Sequence, residues 1–413
     1  MVFSIKNFIK VAFLLFLIIF DCFSFVLNNI FYTPLEHYKK KLDDEIRAVW
    51  IATVLNLDWP KATESEDQKK ELIEILDFLK EKKINRAYLQ VRCRGDALYL
   101  SEQWPWSCWL TGELGTDPGY DPLLMFRDGC FQRGITPEAW INPFYIGSRT
   151  KFDIKKYFEK LPENNPLKYH PEWIIVSSNG WHMLNPGIPE VRKLIIQEVI
   201  YIAKKYQISI HMDDYFYPYP NKKNQDINLD DQAEYKLYGK RLSLEDFRRN
   251  NINKFIEALY TEIKKLDSEL TLSISPFAIW KNSAKDGGCG TQGLESYHKI
   301  FCDSVFWVKR NFIDYIIPQI YWHIGFEIAD YEALAKWWND VVNGSKVKLI
   351  IGQAGYRLNK NSIYESFRNS GEIINQIKLN RKLSNVCGQS IFSLSCLREN
   401  CLGIRDKLEE IYK

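Results

Sequence analysis

The stretch ISIHMDDYFYPYP, Ile208 to Pro220, carries an apolar alternation (Ile208, Ile210, Met212) straight into two adjacent carboxylates, Asp213 and Asp214, and then into an aromatic loop punctuated by proline. Alternation of this length reads as a strand. Acids at its carboxyl end, followed by aromatics, read as a site, because parallel α/β folds bind ligands beyond the carboxyl ends of their strands. The bland account is one Asp capping the next helix and one in a turn. The strands on either side decide between the two.

Working outward, apolar runs from Ile46 to Val54, Asn85 to Arg92 and Ile135 to Ile141 predict three strands before this one. Leu270 to Pro276, Ile313 to Trp322, Val347 to Tyr356 and Cys387 to Leu394 predict four after it. Helical apolar faces alternate with them, at Gln68 to Lys82, Asp121 to Arg133, Pro189 to Tyr206, Arg248 to Lys265, Tyr297 to Arg310, Asp330 to Val342, Gly371 to Arg381 and Glu399 to Lys413. Eight strand-helix units predict an α/β fold, a (β/α)8 TIM barrel with long βα loops in a single domain over residues 45–413. An open doubly wound sheet is the alternative, but no GxGxxG follows the first strand. Residues with chemistry gather after the strands, in LDWP, NPF, SPFAIW, QIYW and QAGY, which a barrel brings to one face.

The 413 residues carry 55 basic and 52 acidic side chains, net +3, without a basic stripe, so nucleic acid is not an expected partner. Lys6 and Lys10 precede an apolar run from Val11 to Phe20, a secretory signal pattern that predicts a signal peptide over 1–24 and a leader segment over 25–44. Export to the periplasm or cell envelope follows, with the membrane touched only through that signal or through a lipid anchor at Cys22, whose preceding residues resemble a lipobox poorly. The eight later cysteines show neither a disulfide framework nor a CxxC pair.

AVWIATVLNLDWP, LQVRCRGDALYLSEQWPWSCWLTGELG, AWINPF, LNPGIPEVR, MDDYFYPYP, RRNNINKFI, SISPFAIW, PQIYW and DYEALAKWW closely resemble, in order, the glycosyl-hydrolase-like TIM-barrel family ten of exported bacterial proteins, over about residues 45–403. The resemblance implies glycosidase activity on bacterial cell-wall glycan, peptidoglycan strands stripped of their peptides. Two departures stand out. Pro137 and Glu138 precede Ala139 and Trp140 where the family usually has His, and Gln207, Ile208 and Ser209 replace an Asp-Gly segment.

Glycoside hydrolysis needs a proton donor at the leaving oxygen and a second group at the anomeric carbon. Asp213 and Asp214 are too close to act from opposite sides of one bond. Adjacent acids suit a scheme in which the substrate's own 2-acetamido oxygen attacks, with Asp214 as the acid and Asp213 orienting the amide. A second scheme pairs one of them with Glu138. The expected substrate-binding residues are Arg92, Arg94 and Asp96 after strand two, Asn142 after strand three, Tyr215, Tyr217, Trp280, Gln319, Tyr321 and Trp322. For the two arginines and Asp96 a salt bridge at the rim is the competing account. No cofactor is expected. His211 and Asp213 form an HxD pair, so a metal-dependent deacetylase is one competing class; a barrel that binds sugar without cutting it is the other.

Overall fold

A β-strand that is apolar on both faces has to be covered on both, and this chain does so by closing its strands into a ring and wrapping that ring in helices. The computed structural model describes residues 44–148, 152–220, 228–239 and 241–413. The expected signal peptide, leader segment and Cys22 lie outside the described residues.

The first three staves are β1 (Ile46–Ile51), β2 (Arg86–Arg92) and β3 (Thr136–Ile141). Three short strands follow, β4 (Tyr145–Ser148), β5 (Ile174–Val176) and β6 (Trp181–Leu184), and form a separate antiparallel sheet. The ring resumes with β7 (Ser209–Met212) and β8 (Leu272–Ile274). Its sixth stave is split into β9 (Tyr315–Ile316) and β10 (Gln319–Ile320), with Pro318, which has no N–H to give a ladder, in the gap. β11 (Lys348–Gln353) pairs with both halves, and β12 (Val386–Ile391) pairs with β1, so the parallel sheet closes at eight staves. The TIM barrel expected from the sequence is the observed fold.

The helices fall near their expected places. Pro189–Tyr206 matches residue for residue, begins on a proline that needs no N–H partner, and ends at Gln207 in the left-handed region. The helix expected from Arg248 begins four residues earlier, at Leu244, where the Ser243 side chain accepts the Asp246 N–H and caps it. The expected Tyr297 to Arg310 helix is broken into Ser296–Lys299 and Ser304–Arg310. Phe301, at φ 54, turns the chain out between them.

Alternation along the staves sorts side chains into two cores. Val49, Leu89, Ile141, Ile210 and Ile351 face the helices and join the large outer core. Trp50, Tyr88, Trp140, Tyr315 and Ile350 face inward and fill the barrel. Asp58, in the loop after β1, accepts the Ala52 N–H at 2.8 Å, and it also takes the Ser393 hydroxyl at 2.9 Å and the Ser395 N–H at 2.8 Å. That carboxylate ties the loop after the first stave to the loop after the last.

Candidate active site

The barrel interior is layered, and the layers explain which polar residues are structural. At the bottom, Glu138 is wholly buried and accepts from Arg86 Nη1 at 2.7 Å and from the Ser273 hydroxyl at 2.5 Å, while Arg86 also reaches Tyr315 at 3.3 Å. Burial raises the Glu138 carboxyl above its usual range, and the Arg86 charge opposes that rise. One layer up, His211 Nε2 accepts from Trp50 Nε1 at 2.9 Å, and its Nδ1 meets Ser273 Oγ at 2.7 Å. Desolvation, reinforced by the Arg86 charge, holds the imidazole well below its usual range, so it is neutral. Both ring nitrogens are engaged inside the barrel, which accounts for the HxD pair without a ligand.

Above this lies a cavity of about 310 Å3 at the carboxyl ends of the staves. Its floor is Trp50 and Trp140, and Gln90, Asn142, Ser275 and Gln319 offer polar groups to it. Asn142 donates to the Cys93 carbonyl at 3.1 Å, and its buried Oδ1 has no partner among the described residues. Tyr145, Trp181, Tyr215, Tyr321 and Phe392 make aromatic walls. Tyr321 stacks on Phe392 at 6.1 Å and 24°, and Trp181 lies 4.8 Å from Tyr145 and 5.9 Å from Tyr215. Apolar rings edged by hydroxyls and amides suit the two-faced chemistry of a sugar.

Asp213 is the one carboxylate lining this cavity among the described residues. It accepts from Gln319 Nε2 at 2.8 Å and from the Asp214 N–H at 2.9 Å. Burial pushes its carboxyl up to about 6, against those two donors. Asp214 stands behind it, 1% exposed, and accepts from the Tyr219 hydroxyl. Desolvation and the neighbouring Asp213 charge hold Asp214 well above the usual carboxylate range. Among the described residues no cation is hydrogen-bonded to either acid, and of the two carboxyls Asp214 is held the higher.

The structure brings together five of the expected site residues, Asp213, Asn142, Tyr215, Gln319 and Tyr321, with Asp214 behind them. Arg94 and Asp96 line an adjoining cavity, bonded to each other at 2.9 Å. The others lie elsewhere. Glu138 pairs in register with Ser209, four residues below Asp213 and so ~13 Å beneath it along the stave. The Glu138 scheme therefore lacks its geometry. Arg92 is turned outward because the β2–β3 register slips between Gln90 and Arg92. It is 1% exposed, donates to the carbonyls of Asn142 and Pro143, and lies 4.4 Å over the Trp104 ring. Tyr217 packs edge-on against Phe301 in the outer core. Trp280 bonds Asp303 at 3.0 Å and stacks near Trp337, and Trp322 packs edge-on against Phe277; neither lines the cavity.

Sequence reasoning missed Gln90, Tyr145, Trp181, Tyr219, Ser275 and Phe392. Two of them had a signal. Gln90 shares the inward alternation of Tyr88, and Phe392 directly follows β12 as the acids follow β7. Tyr145 and Trp181 come from the small sheet, whose strands are three or four residues long and too brief for a period.

The family model for glycosyl hydrolase-like 10 matches residues 45–367. Glycosyl hydrolase YngK of Bacillus subtilis (strain 168) is 40% identical over 373 residues, 89% of this chain and 71% of that protein. Glycosyl hydrolase DigH of Escherichia coli (strain K12) is 34% identical over 366 residues, 84% of this chain and 82% of that protein.

Proposed function

The chain belongs to the glycosyl hydrolase-like 10 family and is a glycoside hydrolase, and from that premise we propose that it is exported and cuts a cell-wall glycan built of 2-acetamido sugars, peptide-free peptidoglycan strands above all. The observation that carries this reading is the acid pair itself. A coupled Asp213–Asp214 unit faces an aromatic cavity that offers, among the described residues, no second carboxylate across from it. A retaining or inverting mechanism with two protein carboxylates needs partners roughly 5 to 9.5 Å apart across the scissile bond. Without one, the attacking group is supplied by the substrate, and a 2-acetamido oxygen is suited to the task.

Position favours Asp213 over Asp214 as the group that meets the sugar, which moves the acid role expected for Asp214 to Asp213. The Asp213 carboxyl passes its proton to the leaving glycosidic oxygen as that C–O bond breaks. The acetamido carbonyl oxygen closes on the anomeric carbon, giving a cyclic oxazoline-type intermediate. Ionised Asp213 then takes a proton from the water that reopens the ring, and hydroxide-equivalent oxygen ends on the anomeric carbon. Asp214 keeps its own proton throughout, while burial holds the Asp213 carboxyl at about 6, high enough to act as an acid. Tyr215 and Tyr321 stand at the cavity wall to bind the amide.

The test is incubation of the purified protein with peptide-free glycan strands, with mass spectrometry of the soluble products. Saccharides with an intact acetamido group are the expected result, abolished in Asp213→Asn. Binding without products would overturn the hydrolytic reading, and deacetylated but uncut strands would replace it with amide hydrolysis.

A further inference from the structure

Beside the acid cavity lies a second of about 730 Å3. The two share Val54, Cys93 and Tyr145 as wall residues, so they form one continuous depression across the mouth. The floor of the second part has little tolerance for change. Gly95 sits where a Cβ would lie 2.3 Å from Tyr157 Oη, so only glycine lets that tyrosine reach its place. Tyr157 is 1% exposed and lines the cavity, and its hydroxyl has no partner among the described residues. On the wall, Arg94 is fixed through Nε by Asp96 at 2.9 Å and through Nη2 by Cys108 Sγ at 2.6 Å, with its guanidinium 4.8 Å from the Trp109 ring centre. Those contacts leave Nη1 for a partner arriving from the cavity. A guanidinium held so firmly loses little freedom on binding.

The charges in this second cavity oppose one another. Among the described residues, Asp96, Glu113 and Asp153 line it together with Arg94 and Lys156, and these charges give no net attraction to an anion. What it offers instead is an indole with a leucine beside it, Trp109 and Leu114, and fixed polar groups at the edge, the pattern that matched a sugar ring in the first cavity. Continuity matters more than composition here. A polymer with one ring over Asp213 has its neighbouring ring at the shared wall of Tyr145.

We propose that this second cavity is a further saccharide subsite, in which the next ring of the same glycan lies against Trp109 while Arg94 Nη1 and the Tyr157 hydroxyl take its oxygens. The proposal rests on the glycosidase reading of the first cavity. Its consequence is a preference for two linked rings over one, since a glycan that fills both cavities gains contacts that a single sugar cannot make.

The experiment measures equilibrium binding of N-acetylglucosamine and of its β-1,4-linked dimer to the full-length Asp213→Asn protein, alone and with Trp109→Ala or Trp109→Phe added. The expected dimer-to-monomer affinity ratio is about tenfold, the effect of one good additional contact. It falls to about one with Trp109→Ala and is largely kept with Trp109→Phe, which retains an aromatic face and guards against a mere folding defect. An affinity independent of chain length, or a ratio unchanged by Trp109→Ala, overturns the subsite. Hydrolysis by the unmutated protein is scored separately. Turnover without a length-dependent ratio removes the subsite and keeps the hydrolase, whereas a length-dependent ratio without turnover removes the hydrolase and keeps the subsite.

Discussion

Glu138 and Asp213 are both buried carboxylates on neighbouring staves, yet their surroundings give them opposite work. Glu138 lies beneath the cavity with a guanidinium at 2.7 Å and a serine hydroxyl at 2.5 Å, so its charge is answered within the barrel. Asp213 has an amide and a backbone N–H, and its neighbour is another acid. Desolvation acts on both, but among the described residues only Glu138 has a cation bonded to it to offset the cost. A paired carboxylate holds structure together. An unpaired one that is fed only weak donors holds a proton and can part with it.

The largest contrast is expected from removing each charge in turn. Asp213→Asn should lower kcat on glycan strands by about 10²–10⁴, the usual worth of a positioned acid, while leaving the protein folded. Glu138→Ala should do the reverse. It strands the buried Arg86 charge and should cost about 3–5 kcal/mol of stability in urea unfolding, with the turnover per folded molecule nearly kept. Equal loss of kcat from the two, measured on folded protein, would erase the distinction.

Next in size is an effect of pH on stability. The folded Asp213 carboxyl is raised from 3.8 to about 6, so the folded state binds its proton more tightly than the unfolded chain does. Stability attributable to this group is present below about pH 4 and is lost as pH rises through about 6. A shift of roughly two units corresponds to roughly 3 kcal/mol, as an order of magnitude. Asp213→Asn should therefore be the more stable protein at pH 7, with its advantage shrinking toward pH 4. An advantage that grew on acidification would reverse the sign of the argument. A protein that becomes more stable when its acid is removed is one that gives up stability for function.

The smallest effect belongs to Gln319. Its amide favours the charged form of Asp213, so Gln319→Ala should move the limb on which activity declines with rising pH upward by about one unit, a change of about 1.4 kcal/mol. A limb that stays in place would detach Gln319 from the acid.

Much of this barrel was legible in the chain because buried staves and amphipathic helices leave long periodic marks, as Pro189–Tyr206 does. The acids were legible for a related reason, since a strand that ends in Asp-Asp before aromatics has few structural uses. What escaped was set by geometry that has no period. A register slip after Gln90 turns Arg92 away from the mouth, although plain alternation would put it on the same side as Tyr88. Glu138 is on the inward face, as expected, but depth along a stave is not a property of spacing between motifs. Tyr145 and Trp181 reach the cavity from a sheet of strands too short to announce themselves.

The bond from Asp58 to Ser393 spans 335 positions of the chain, and Phe392, beside it, walls the cavity. A ribosome delivers Asp213 and Asp214 long before it delivers that wall. Over the 178 residues from Asp214 to Phe392 the growing chain carries its acids without a complete chamber to keep them dry, and contacts this distant form late. The cavity over Asp213 is thus among the last parts of the molecule to exist, and a chain halted before β12 would carry its acid pair in sequence with no enclosure to set it in.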